Sequence, residues 1–131
     1  MKIFVFIIFI FTFIFQSYAN WEFISKDDNN ASIYIDIKSI KIFKNLIYAW
    51  TMYSLDKNDK RITKTGYSSY ITHEYFNCNN LSRATIIELK FHKPMGVGES
   101  FYDSYPDAII AKPQLGSLGY NLVKKACSYI K

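Results

Sequence analysis

Two hydrophobic rhythms divide the chain. Between residues 32 and 37, Ile33, Ile35 and Ile37 alternate with Tyr34 and Asp36. Residues 85–92 repeat the pattern, with Ile87, Leu89 and Phe91 opposite Glu88, Lys90 and His92. A period of two places each set on one face of a β-sheet. Residues 21–25, 46–55 and 61–76 also read as extended, being rich in residue types that suit a pleated, half-buried surface. Gly66 marks a bend or bulge in the third run. A short final strand is expected over 107–112. Turn signals separate these runs: Asp27-Asp28-Asn29-Asn30, Lys44-Asn45, Lys57-Asn58-Asp59-Lys60, Asn79-Asn80, Pro94-Met95-Gly96 and Ser104-Tyr105-Pro106-Asp107. Connections this short favour antiparallel neighbours.

The rhythm then changes. Leu118, Leu122, Val123, Ala126, Cys127 and Ile130 fall on one side of a helix, and Lys124, Lys125 and Ser128 on the other. Ser117 is placed to cap its N-terminus, and Pro113 ends the preceding strand. The expected fold is α+β: an antiparallel sheet of about six strands with one C-terminal helix packed on it.

The N-terminus follows neither rhythm. Lys2 precedes an almost unbroken apolar run, residues 3–15, followed by Gln16-Ser17-Tyr18-Ala19. Charge, apolar core and small residues in that order are a secretory signal. An apolar helix of ~13 residues spans roughly 20 Å, short of the ~30 Å hydrocarbon layer. Residues 1–19 are therefore read as a cleavable signal peptide and 20–131 as the domain. No Cys stands near the cleavage site, so a lipid anchor is not indicated, and no stable membrane insertion is expected after cleavage.

Export changes the meaning of the two cysteines, Cys78 and Cys127. In an oxidising compartment the default is one disulfide, the alternative being two free thiols. Since Cys127 lies on the apolar stripe, a bond to Cys78 pins the helix to the sheet. The closed loop holds about 50 residues, worth roughly 4 kcal/mol by chain entropy.

The net charge of +5 is mild, and the basic residues are scattered. It favours loose attraction to acidic surfaces and does not single out nucleic acid. No catalytic set assembles. His73, His92 and the cysteines lack zinc-finger spacing. Leu115 stands where a nucleophile elbow requires Gly, so Ser117 reads as a cap. Gly96-Val97-Gly98 reads as a turn. Asp36 is assigned a structural role at a turn. Neither a metal nor a cofactor is expected. Aromatics make up 18% of the chain; strands favour them for core and ordinary sheet surface, and the alternative is a Tyr-rich contact face. Tyr34, Tyr48, Trp50, Tyr53, Tyr67, Tyr70, Tyr75 and Phe76 fall on expected strands. Phe101, Tyr102 and Tyr105 fall in an expected loop, 94–106, and are the preferred binding candidates.

One order of residues is more specific than any single motif. Trp21 follows the signal; Tyr34-Ile35-Asp36 precedes Ser39-Ile40; then come Trp50, Tyr67-Ser68-Ser69, Cys78, Lys112-Pro113, Ser117 and Cys127. This order resembles the surface-adhesin protein E-like family of Gram-negative bacteria. The resemblance implies a curved antiparallel sheet with a disulfide-tied C-terminal helix. It also implies a non-enzymatic exported binding domain contacting host extracellular, matrix or serum proteins. An exposed sheet edge or aromatic face would separately allow a homodimer. The alternative is a soluble periplasmic accessory protein of the cell envelope. Periplasmic, secreted and cell-surface locations all agree with the sequence.

Overall fold

The structure, a computed structural model, describes residues 19–130. The expected signal segment lies outside the described residues, apart from Ala19. Seven strands form one sheet: β1 (Trp21–Lys26), β2 (Ser32–Asp36), β3 (Lys41–Phe43), β4 (Leu46–Ser54), β5 (Ser69–Asn77), β6 (Ser82–Phe91) and β7 (Ser100–Ala111). Their order is β1-β2-β4-β5-β6-β7, with the short β3 pairing only β4. Every pairing is antiparallel. Two helices, α1 (Lys60–Thr65) and α2 (Leu118–Cys127), complete the fold.

Short polar side chains fix the turns. Asp27 Oδ1 accepts from the backbone N–H groups of Asn29 and Ala31 between β1 and β2, each at 2.9 Å. Asp36 does the same at the end of β2, accepting from Lys38 N at 3.1 Å and Asn20 N at 2.9 Å. It has the structural role expected of it. Ser39 Oγ then bridges from Asp36 O to Trp50 N, at 2.8 Å each, tying the end of β2 to the middle of β4.

The core lies on one face. Ile33 and Ile35 from β2, Ile47 and Ala49 from β4, and Phe76 from β5 meet Leu122, Val123 and Ala126 of α2. Each large apolar side chain so buried contributes about 1.5–3 kcal/mol. Ser117 Oγ accepts from Tyr120 N at 3.2 Å, the N-cap read from the sequence. Cys78, just beyond β5, is bonded to Cys127 at the last turn of α2, with S–S 2.10 Å and Cα–Cα 5.6 Å. At the same end, Lys125 Nζ and Tyr129 Oη reach the Glu22 carboxylate at 2.9 Å each, joining α2 to β1.

On the opposite face a tight turn at Pro94–Gly96 closes over Met52 and Ile71. Met95 N donates to Ser54 Oγ at 3.0 Å, Gly96 N to Ser69 Oγ at 2.9 Å, and Ser69 Oγ to Lys93 O at 2.6 Å. Gly96 has φ +65°, and a Cβ there would stand 2.5 Å from Ile71 Cδ1. Only glycine fits both the backbone and the space.

Two sequence expectations are corrected. The run 61–76 is not one bent strand: α1 occupies its first turn and β5 starts only at Ser69. Asp59 caps α1, accepting from Arg61 N at 2.9 Å, and Gly66 ends it at φ +79° with its N–H on Ile62 O. These are ordinary helix start and stop signals. They are obscured by Ile62 and Thr65, which also suit strands. Second, 94–106 is not a loop followed by a short strand at 107–112. β7 runs unbroken from Ser100 to Ala111 as the outermost strand beside β6. Pro106 is tolerated because an edge strand with a bulge need not use that N–H. The register shifts across Thr85/Ile87, where β7 carries the extra residues.

Candidate binding surface

The register across the sheet decides where each aromatic points. Directly opposed residues in an antiparallel pair share a face. Tyr53 opposes Tyr70, which opposes Lys90, which opposes Phe101. Thr72, Glu88 and Asp103 continue the same face, the one that carries α2. Tyr102 opposes Leu89 and so belongs to the other face. The three residues singled out from the sequence are therefore on strand β7, and they do not form one patch. Phe101 packs against Tyr67 and His92, with ring centroids 5.7 and 5.1 Å apart. Tyr105 sits beside Glu88. Tyr102 projects alone and is 62% exposed.

β7 is the more open edge of the sheet. Its second side is free of any described strand, and Phe101, Tyr102, Ile109 and Ile110 are all exposed along it, Ile110 by 68%. Unpaired ladder groups beside exposed apolar side chains are suited to strand addition or to packing against a partner.

Sequence reasoning missed a second feature. Helix α2 covers only part of its face, and the uncovered part is a cleft of about 670 Å³ with a mixed polar and apolar lining. Its floor is β4, β5 and β6; its rims are the β1–β2 turn and residues 116–119 at the start of α2. Glu74 lies at the bottom, fully buried. Arg83 pairs with it through Nε at 3.1 Å and through Nη2. Thr51 Oγ1 donates to it at 3.0 Å and Thr85 Oγ1 at 3.3 Å. Thr51 and Thr72 hydroxyls lie 2.6 Å apart. The signal was present as alternation, Tyr70, Thr72, Glu74 along one strand and Arg83, Thr85 along the next. It was concealed because these pairs meet only through cross-strand register.

Burial raises the Glu88 carboxyl above its ordinary range; Lys90 opposes this, and Asp103 and Glu74 add to it. Lys90 is held charged by its 2.7 Å bond to Asp103. Burial likewise raises Tyr105, with help from the Glu88 charge. Across the sheet, His73 stacks on Trp50 at 4.8 Å, and burial holds its pKa down, with Lys41 adding to the effect. The sulfurs of Cys78 and Cys127 are committed to each other, so the Cys2His2 arrangement weighed from the sequence is closed. Among the described residues no three His, Cys, Asp or Glu side chains converge as a metal-binding group, and no helix is long and apolar enough to cross a membrane.

Comparison with known proteins agrees with this architecture. No curated protein matches the sequence significantly. Solved structures do match the fold. Crystal form II of Haemophilus influenzae protein E aligns with TM-score 0.63 at 16% identity, covering 85% of this chain and 89% of that one. The selenomethionine form of the same protein gives 0.59 at 15% identity, covering 82% and 86%. Protein E from non-typeable Haemophilus influenzae gives 0.55 at 16% identity, covering 86% and 79%. The sequence model of the surface-adhesin protein E family matches residues 21–128, from the first strand to the cap that follows α2. The chain belongs to the surface-adhesin protein E family.

Proposed function

We propose that this protein is an exported, non-enzymatic adhesin domain, freed of residues 1–19, that docks host matrix or serum protein along β7. The observation that carries the reading is the open outer edge of the sheet. Twelve residues of strand present unpaired backbone groups beside Phe101, Tyr102, Ile109 and Ile110. Main-chain pairing gives such an edge affinity, and the flanking side chains give selectivity. A disulfide-tied helix holds the sheet rigid, which limits the ordering cost of association. The full chain's net charge of +5 falls to +4 with the loss of Lys2, and this mild excess adds attraction to acidic partners. The same edge can join two copies of the chain, giving a homodimer with a self-complementary interface.

The test uses the full chain, expressed with its own N-terminal segment and recovered after export. Immobilised matrix and serum proteins are screened by surface plasmon resonance. Saturable binding at micromolar concentration is expected, weakened in Tyr102→Ala and Ile110→Lys. Absence of saturable binding to every protein screened refutes the reading. Surface protease accessibility after fractionation tests the location. Material confined to the periplasm would favour an envelope accessory role.

A further inference from the structure

We propose that the cleft between the first turn of α2 and strands β4–β6 binds a small, uncharged, polyhydroxylated ligand, a mono- or disaccharide. The cleft is lined by no residue of β7, and its role does not depend on that edge. Its volume, about 670 Å³, lies within the ~300–1,000 Å³ typical of small-molecule pockets.

The lining selects the ligand class. An apolar ligand would take water from the free Nη1 of Arg83 and from the spare hydrogen-bonding capacity of Thr72 and Glu88 and offer nothing in exchange. An acidic ligand would meet four carboxylates, Asp27, Asp28, Glu74 and Glu88, against two cations, Lys26 and Arg83. Repulsion from that surplus disfavours phosphates, sulfated sugars and uronic acids.

Sugar hydroxyls both donate and accept, which is what the cleft offers. Arg83 spends Nε and Nη2 on Glu74, leaving Nη1 as a donor. That atom lies 3.0 Å from where a Cβ on Gly119 would stand, so the absent side chain keeps it accessible. Thr72 meets only the Thr51 hydroxyl and keeps further hydrogen-bonding capacity. Glu88 supplies a half-buried acceptor. Tyr53 and Tyr70 add ring surface at one wall, suited to the apolar face of a pyranose. Donors below, an acceptor at the side and aromatic carbon at the wall form a site for a ring bearing hydroxyl groups.

The experiment titrates the exported, ¹⁵N-labelled chain with cellobiose, lactose and N,N′-diacetylchitobiose, recording backbone amide shifts. A heparin disaccharide and spermidine serve as acidic and cationic comparisons. Saturable shifts confined to Thr51, Thr72, Thr85 and residues 116–119 are expected with at least one neutral disaccharide. Tyr70→Ala weakens that binding by about tenfold, from the lost ring contact. Glu88→Gln keeps an acceptor oxygen and weakens it by less. Both positions are partly exposed, so the variants are checked for a retained single, cooperative melt. No saturable shift with any neutral sugar overturns the proposal. Equal or tighter binding of the heparin disaccharide overturns it too, as does spermidine binding that Glu88→Gln abolishes while sugars stay inert. Sugar shifts confined to β7 place the ligand elsewhere and count against it equally.

Discussion

Replacing both Cys78 and Cys127 with Ser should cost the domain about 4 kcal/mol of stability. The bond closes a sequence separation of 49, and that segment contains β6, β7 and α2. Loop-closure entropy for about 50 residues gives roughly 14 cal/mol/K, or about 4 kcal/mol at 25 °C. A domain of this size is stable by ~5–15 kcal/mol in all, so the bond carries a substantial fraction. Dividing by the unfolding entropy of about 110 residues, near 0.23 kcal/mol/K, predicts a fall in Tm of about 15–20 °C. Circular dichroism melts of oxidised wild type and the double Ser variant, at one pH and salt, measure it. The loss acts on the unfolded chain, so the transition should remain single and cooperative. Native-state hydrogen exchange should show Leu122, Val123 and Ala126 losing protection together with β5, not before it. A fall under about 5 °C would refute the reasoning. So would a separate early transition of α2, since the helix would then be held by the bond alone and not by its packing.

Other expectations follow from both faces of the sheet. Arg83→Met leaves the Glu74 carboxylate buried without its cation and should cost ~3–5 kcal/mol by urea denaturation. Adding Glu74→Leu should restore most of it; no restoration would mean that Arg83 acts by packing instead. Gly96→Ala forces a methyl toward Ile71 at φ +65° and should cost about 1–3 kcal/mol, with recovery in Ile71→Val. Glu88 gives a pH signature. Its folded pKa is raised above 4.5, so the folded state binds the proton more tightly than the unfolded chain. Glu88 therefore destabilises increasingly as pH climbs from the unfolded pKa through the raised folded one. Glu88→Gln, which cannot titrate, should gain stability relative to wild type as pH rises above the unfolded carboxyl pKa, and a difference flat with pH would contradict this.

Much of the fold was legible because the local and global signals agree. Ile33 and Ile35 alternate and do face the core; Ser117 caps α2; Cys127 lies on the apolar stripe and meets Cys78. Errors arose where local chemistry was ambiguous. Ile62 and Thr65 carry strand propensity, and the Asp59 cap and Gly66 stop outweigh it. Pro106 reads as a turn by itself, yet an outermost strand tolerates it because that side of the backbone has no ladder to complete. Phe101 and Tyr102 are exposed and Tyr105 is half-buried, but their arrangement was not legible. Whether Phe101 and Tyr102 share a surface depends on the two-residue period of a strand that the turn signal had hidden. The cleft is harder still to read. Glu74 and Arg83 are nine residues apart across a hairpin, and Glu88 joins them only after a shift in register. No local spacing encodes that meeting.

Pro106 has one more consequence. A long, flat, apolar border on a sheet invites copy after copy to stack, the route by which small β proteins turn into fibres. Here the border is broken at its middle by an imino nitrogen and a distorted stretch facing β6 between Thr85 and Ile87. An incoming backbone finds two stretches, 100–105 and 107–111, on either side of a residue with no N–H. A partner of matching contour can use both, whereas an endless straight ribbon of identical chains cannot. The protein can thus keep a sticky margin without polymerising along it.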